Sequence, residues 1–284
     1  MSYKIILSKT NNEFLRTYND FLQKNKEILQ LYFLNLQPSD LLVDDNSIRG
    51  GVYHNNKLSI LFLNAFLFNL QLHSFDNDIA SFDALAKFIY ENDYDFRGIQ
   101  GNSKDVKEFI NSYNFLKETN FRFMHTMDIM RLDKLNDIDV NKIEGHIRNA
   151  NIEDYEIVKD YIRKMNLEAM GESIDDEILD FRTKLCINDK FFYLYCDINN
   201  NPTSMVKIHP TPPDCFRINM VFTDKLYRAK GYAKKMLYEV IKETQKHGEI
   251  YTLFVDQKNP VSNKLYRDLG FYVVEDNYDV RIMN

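Results

Sequence analysis

Apolar residues recur along this chain with two different periods, and the changes of period divide it into elements. Residues 11–35 set Phe14, Leu15, Tyr18, Leu22, Ile28, Leu29, Tyr32 and Phe33 on an irregular stripe that predicts one or two helices. The stretch GGVYHNNKLSILFL (50–63) predicts two short strands around an Asn-rich turn at His54–Lys57. Helical spacing returns over 78–92 and 103–117, and FRFMHTMDIMRL (121–132) predicts a strand. The segment DKLNDIDVNKIEGH (133–146) is polar and without a strong period, as a linker would be. Beyond it the pattern starts again. A strand is expected at 146–150, helices at 153–168 and 174–187, and strands at 190–196, 203–209 and 215–223. A helix over 231–247, a strand over 249–256, a helix over 260–269 and strands over 271–274 and 278–283 complete the series. There is no short sequence repeat, but the restart predicts an α/β protein of two lobes, 1–138 and 139–284.

One junction in this series draws the eye. The helix after Gly231 places Ala233, Met236, Leu237, Val240, Ile241 and Thr244 on one face, the spacing of a buried stripe. Lys246, His247 and Gly248 read as its basic last turn and stop. Upstream, HPTPPD (209–214) reads as a stiff turn that sets a hairpin, and FRINMVFT as the strand that follows. The loop LYRAKGYA therefore lies between a strand and the first turn of a helix.

Composition narrows the possibilities. The chain has 284 residues, 44% hydrophobic and 27% charged, which suits soluble globular domains with substantial cores. A net charge of −6 argues against nucleic acid as a general partner. Cys186, Cys196 and Cys215 lack a CxxC spacing and are expected to be unpaired thiols in a cytoplasmic protein. The start lacks a long apolar leader, and ILFLNAFLFNLQL is too short and interrupted to span a bilayer, so no membrane partner is expected. Six histidines are scattered without ligand spacing, so no metal is expected.

Against this acidic background, residues 224–246 carry seven Lys/Arg and only three acids. Basic charge beside a helix N-terminus, whose first N–H groups have no intrahelical partner, is what a bound phosphate requires. A solvated helix face would give the same count. The loop lacks the Lys-Ser/Thr of a nucleoside-triphosphate loop and the spaced glycines of a dinucleotide turn.

It does match R-x-x-G-x-G/A at Arg228, Gly231 and Ala233. Downstream, YTLFVDQKNPVSNKLYRDLGFYVVED carries an N-x-x-A/S-x-x-x-Y…G-F pattern at Asn259, Ser262, Tyr266, Gly270 and Phe271. With both motifs in this order, residues 147–284 resemble the GNAT acyltransferases, of the two-lobed bacterial type with a degenerate first half. The resemblance implies two lobes, each a mixed, mostly antiparallel sheet flanked by helices, with splayed parallel strands in the C-terminal lobe. It implies acetyl-CoA as co-substrate. Main-chain groups of Val221, Phe222 and Thr223 would pair with the pantetheine. Amides of Arg228, Ala229, Lys230, Gly231, Tyr232 and Ala233 would hold the diphosphate, with Asn259 and Ser262 as further contacts. Tyr266 matches the family's general acid; packing beside Leu265 and Leu269 is the plainer reading of the same residue. For the base, Glu168, Glu172 and the carboxylate of Asn284 are all candidates, because a protonated amine must lose a proton before attack.

The first lobe departs from the family pattern. Nothing in 41–80 matches the diphosphate loop, and GIQGNSKDVKEFINSY resembles the late strand–helix step without a tyrosine at the acid position. The resemblance implies an N-acetyltransferase acting on a small-molecule or peptide amine. A non-catalytic acyl-CoA-binding sensor, or transfer of another acyl group, stays open beside it, as does the oligomeric state.

Overall fold

The turn at Asn55–Asn56 shows how local sequence sets this fold. Both residues hold positive φ, 50° and 63°, the conformation a two-residue hairpin needs and asparagine tolerates. The hairpin belongs to a computed structural model that describes residues 3–36, 47–65, 69–171, 173–211 and 214–283.

The first series of elements is β1 (Tyr3–Leu7), α1 (Asn11–Thr17), α2 (Asn19–Lys24), α3 (Gln30–Asn35), β2 (Ile48–His54), β3 (Lys57–Asn64), β4 (Leu70–Ser74), α4 (Ile79–Glu91), β5 (Gly98–Gly101), α5 (Ser103–Leu116) and β6 (Phe121–Leu132). The second is β7 (His146–Asn149), α6 (Tyr155–Met170), α7 (Asp176–Ile187), β8 (Phe192–Cys196), β9 (Pro202–Thr211), β10 (Cys215–Thr223), α8 (Tyr232–Thr244), β11 (Ile250–Asp256), α9 (Pro260–Leu269) and β12 (Tyr272–Ile282). The two series follow one plan: a strand, a helical segment, three strands, then helix, strand, helix, strand. By position β4 corresponds to β10, α4 to α8, β5 to β11 and α5 to α9. The α/β expectation with two lobes of one architecture holds.

The chain forms two compact units, and no single cut in the sequence separates them. The first takes the described residues of 1–129, 255–260 and 273–284; the second takes 130–254 and 261–272. In the first unit the strands lie in the order β1-β2-β3-β4-β5-β12-β6. Most neighbours are antiparallel, whereas β4 and β5 are parallel, paired at Leu70–Ile99 and Gln71–Gln100. One face of this sheet buries Leu70, Leu72, Ile99 and Val280 against Phe82, Leu85, Val106 and Phe109 of α4 and α5. The other buries Leu58, Leu61 and Leu63 against Phe14, Tyr18, Leu22, Tyr32 and Phe33 of α1–α3.

In the second unit the order is β11-β10-β9-β8-β7, antiparallel except for the β10–β11 pair. Val158, Tyr161 and Ile162 of α6 and Leu179 of α7 pack with Phe192, Leu194, Met205 and Phe222 of the sheet. Met236, Leu237, Val240 and Ile241 of α8 are all buried, as their spacing requires. Cys186, Cys196 and Cys215 are buried thiols outside any disulfide.

Several expected elements differ. The stretch 11–35 forms three short helices, broken where Tyr18 and Asn25 leave helical backbone angles. β1, β4 and β5 are strands that the apolar pattern does not announce. β12 is one strand where two, over 271–274 and 278–283, are expected from the pattern. α8 stops at Thr244, and the amides of Lys246 and His247 instead donate to the Glu249 carboxylate at 2.8 Å each. His247 therefore serves a turn and not a helix end. Pro212 and Pro213, read as part of the hairpin turn, lie outside the described residues, but β9 and β10 on either side do pair antiparallel.

Candidate functional site

β10 and β11 pair at Cys215–Ile250, Phe216–Tyr251 and Arg217–Thr252, and there their pairing ends. β10 continues to Thr223, held only by β9 on its other side through Phe222–Met205 and Thr223–Ser204. A bulge between Asn219 and Phe222, with Met220 at φ 52°, bends the strand at this point. The edge of β10 that includes Val221 and Phe222 is thus open to an extended ligand. The carbonyl of Thr223, expected to serve such a ligand, instead accepts from Arg228 Nε at 2.9 Å.

The chain leaves β10 through a short turn fixed by Asp224. Its carboxylate accepts from the Leu226 amide at 3.0 Å and binds Lys164 Nζ at 2.6 Å. That lysine holds the Asp224 carboxyl below the usual carboxylate range, although burial opposes the effect. The loop then takes up positive φ twice, 62° at Ala229 and 83° at Gly231. A Cβ at Gly231 would lie 2.7 Å from Ile143 Cδ1, so both the backbone angle and the available space call for glycine. α8 starts at Tyr232 with no side-chain cap. Its first amides are therefore left for a ligand at the positive end of the helix dipole.

Most of the local basic excess has protein partners. Arg228 Nη2 meets Glu168 Oε2 at 2.7 Å, Lys225 lies 3.7 Å from the same carboxylate, and Lys234 binds Asp268 at 2.6 Å. Lys230 stands over the Tyr227 ring at 5.5 Å. Tyr232 packs against Tyr195, with ring centroids 5.3 Å apart, and Ala233 is half-buried in the first turn of α8.

Tyr266, in the last turn of α9, is 6% exposed and packs edge-on against Phe271 at 5.8 Å. Burial pushes its phenol well above the ordinary value, so the proton stays on at neutral pH. Ser262 lies one turn before it on α9, and Asn259 directly precedes that helix, its amide donating to the Asp256 carbonyl at 3.0 Å. Glu168, considered as a base, lies near the end of α6 in the grip of Arg228. Glu172 and Asn284, the other candidates, lie outside the described residues.

One residue that the sequence reading passed over stands at the mouth of the splayed strands. Arg217 is the last β10 residue paired with β11, and its guanidinium carbon lies 4.4 Å from the centre of the Phe254 ring. Nε and Nη1 are enclosed and have no acceptor, and Asn219 Oδ1, two residues on, is enclosed without a donor. Burial lowers the guanidinium to about 10, so it remains a cation at neutral pH. An arginine at an alternating strand position looks like a solvent-facing residue, and its enclosure follows from Phe254 on the neighbouring strand.

These features fit coenzyme A: an open strand edge for amide groups, uncapped helix amides and a glycine-permissive turn for a diphosphate. No group of three or more His, Cys, Asp or Glu able to hold a metal occurs among the described residues. No helix among them is long and apolar enough to cross a membrane.

Residues 155–271 match the family model described as Acetyltransferase (GNAT) family. No curated protein matches the chain by sequence. Among solved structures, a Drosophila protein matches with a TM-score of 0.63 at 12% identity, over 98% of each chain. A GCN5-related N-acetyltransferase from Sphaerobacter thermophilus matches with 0.60 at 13% identity, over 99% of this chain and 95% of that one. A GNAT-family acetyltransferase from Colwellia psychrerythraea matches with 0.55 at 14% identity, over 99% of both. At such identities the structural likeness speaks for the fold, and it extends over both halves. The segment that matches the GNAT acetyltransferase family model thus runs from the start of α6 to Phe271 and contains the open edge of β10, the 228–233 turn and α9.

Proposed function

We propose that this protein transfers an acetyl group from acetyl-CoA to a primary amine by direct attack of the amine on the thioester. The observation that carries this reading is the junction of two features. The unpaired edge of β10 at Val221 and Phe222 runs directly into the positive-φ turn at Ala229 and Gly231, which ends on the uncapped amides of α8. The strand edge would take the pantetheine amides, and the helix end the diphosphate. When bound, acetyl-CoA supplies the activated acyl group.

The protein's own part is orientation and proton transfer. The amides of the 228–233 turn and the β10 edge fix the thioester, so that most of the rate gain comes from positioning. Tyr266 Oη, kept protonated by burial, would hand its proton to the departing sulfur. Glu168, clamped by Arg228, would act by setting the loop. The ammonium would lose its first proton to solvent water before attack and its second, after acyl transfer, through water to the Tyr266 phenolate. Asn259 and Ser262 would steady the pantetheine arm.

The test is CoA release measured over a panel of primary amines, with wild type and Tyr266→Phe. Turnover with at least one amine, reduced about 10²–10⁴-fold in the variant with acetyl-CoA affinity unchanged, is the expected result. Acetyl-CoA binding with no release for any amine would favour a binding module instead. The edge-on packing of Tyr266 against Phe271 is the observation that keeps this second reading in view.

A further inference from the structure

Arg217 and Asn219 stand together just before the bulge in β10. The register Arg217–His209, Ile218–Ile208 and Asn219–Lys207 is regular up to that point, so the two residues share one face of the strand. Phe254 joins that face from β11, two residues past Thr252, the partner of Arg217. Consider coenzyme A with its diphosphate in the 228–233 turn and its pantetheine amides at Val221 and Phe222. Its sulfur would point back along β10. The two-carbon arm between the last pantetheine amide and the sulfur covers about one to two residues of strand. The thioester would then lie level with Asn219, and Arg217 just beyond it, on the acceptor's side.

Both groups lack a partner within the protein. Nε and Nη1 of Arg217 have no acceptor, and Asn219 Oδ1 has no donor. Each residue as a whole is only half-buried, so the face they share is not sealed. Nη2, neither enclosed nor bonded, is the nitrogen a ligand would reach first. Neighbouring groups do not supply what is missing. Lys207, opposite Asn219, is paired with Asp189 at 2.9 Å. His209, opposite Arg217, is pushed down to about 4 by burial and by Lys207 and Arg217, so it is neutral at pH 7. Phe254 offers only its ring face. One uncompensated positive charge thus lies beside one free acceptor oxygen. A single fixed cation matches a carboxylate better than a phosphate dianion. Asn219 indicates which reactant carries that carboxylate: an acyl group brings no N–H to its Oδ1, whereas an amine does.

We infer that the acceptor is a short amino acid, its carboxylate paired with the Arg217 guanidinium and its amine donating to Asn219 Oδ1 beside the thioester. The reaction rests on the acetyl transfer already proposed; the binding step does not. Two residues of strand separate the Cα atoms of Arg217 and Asn219 by about 7 Å, which suits an amine and a carboxylate one to three carbons apart. In the transfer the amine nitrogen bonds to the acetyl carbon, the carbon–sulfur bond breaks and CoA leaves with the Tyr266 proton. The amine's two protons go to solvent and to the Tyr266 phenolate, and the carboxylate is unchanged.

CoA release near pH 8 tests this with glycine, β-alanine and 4-aminobutyrate against methylamine, ethylamine and propylamine, their counterparts without a carboxylate. Wild type should favour at least one amino acid over its counterpart by about tenfold or more in kcat/KM. Arg217→Leu should lose that preference through a higher KM, and Arg217→Lys, which keeps the charge without the fork, should retain part of it. The KM for acetyl-CoA should stay unchanged in both, and thermal unfolding establishes that both fold. Equal or better use of the plain amines, or a preference that Arg217→Leu leaves intact, overturns the inference. So does a preference for succinyl-CoA over acetyl-CoA with plain amines that Arg217→Leu abolishes, since the arginine then reads the acyl group. Isothermal titration of the three amino acids into the CoA-loaded chain separates this inference from the transfer itself. Saturable binding lost in Arg217→Leu, with no CoA release for any amine, would uphold the carboxylate site and count against acetyl transfer. Neither release nor binding of any amino acid up to about 10 mM overturns the inference.

Discussion

Arg228 holds Glu168 with one arm of its guanidinium, Nη2 to Oε2 at 2.7 Å, and the end of β10 with the other, Nε to the Thr223 carbonyl at 2.9 Å. α6, the strand edge and the turn before α8 are thereby tied at one cation. Because the pair is half exposed, at 42% and 34%, its direct contribution to stability is small, about 0–1 kcal/mol. Its value lies in where it puts the loop.

That arrangement separates two roles for Glu168. As a loop anchor, Glu168→Gln should raise the KM for acetyl-CoA several-fold and leave kcat and the acidic limb of the pH–rate profile in place. As a base, the same change should lower kcat by about 10² or more and flatten that limb. Steady-state kinetics across pH distinguishes the two, and the structure favours the first. Arg228→Ala should weaken acetyl-CoA about tenfold, by removing both the anchor and a charge near the diphosphate.

Gly231 gives a second handle on the same loop. Gly231→Ala must accept φ 83° and a Cβ 2.7 Å from Ile143 Cδ1. The backbone angle costs about 1–2 kcal/mol, and the isoleucine end can shift. A modest drop in the denaturation midpoint is expected, together with a larger loss of acetyl-CoA affinity as the amides of the turn are re-aimed. Double substitution with Ile143→Ala should restore part of the stability without restoring affinity, because the steric strain goes and the misaligned backbone stays.

The α8 stripe and the turn before it were readable because both are local. Spacing at 233–244 gives the buried face, and Gly231 marks the bend. Other parts depend on residues far apart in sequence. β12 runs unbroken through Asp276 and Asn277 because Asp276 accepts from the Ser103 amide and Asn277 from Gln100, partners that no local window contains. β4 was not legible for a related reason, since Gln71 interrupts its apolar alternation; β5 came only from the resemblance of GIQGNSKDVKEFINSY to a strand–helix step, and Gln100 interrupts its pattern in the same way. Glu168 reads as a solvated acid until Arg228 is brought beside it. Arg217 is concealed in the same way by Phe254.

Arg217 is therefore expected to cost stability in the free protein. Two of its nitrogens are enclosed without acceptors, and stacking on Phe254 recovers only part of the lost hydration. Arg217→Leu should raise the unfolding free energy by about 1 kcal/mol or more, as replacement of uncompensated buried charge generally does. Lower turnover in a variant of higher stability would mark Arg217 as a residue retained for a ligand, since loss of fold could not explain it. Thermal unfolding and CoA release measured on one preparation give both readings.

The first unit should show its acid cluster in the pH dependence of stability. Burial raises Glu275 to about 7, with Asp105, Asp276 and Glu27 adding repulsion and Asn102 partly offsetting it; burial likewise raises Asp105 to about 6, against the Ser74 amide, Asn102 and Lys104. An acid raised in the folded state keeps its proton longer there than in the unfolded chain. Between about pH 4 and 7 the unfolded state releases protons first, so these two groups make stability fall as pH rises through that window. Other carboxylates, such as Asp78 and Asp154, are lowered and have the opposite slope at lower pH, so the useful quantity is a difference between proteins. Glu275→Gln should match wild type near pH 4 and gain on it progressively, reaching about 2–4 °C in Tm by pH 8. A constant offset across the range would mean that Glu275 titrates normally.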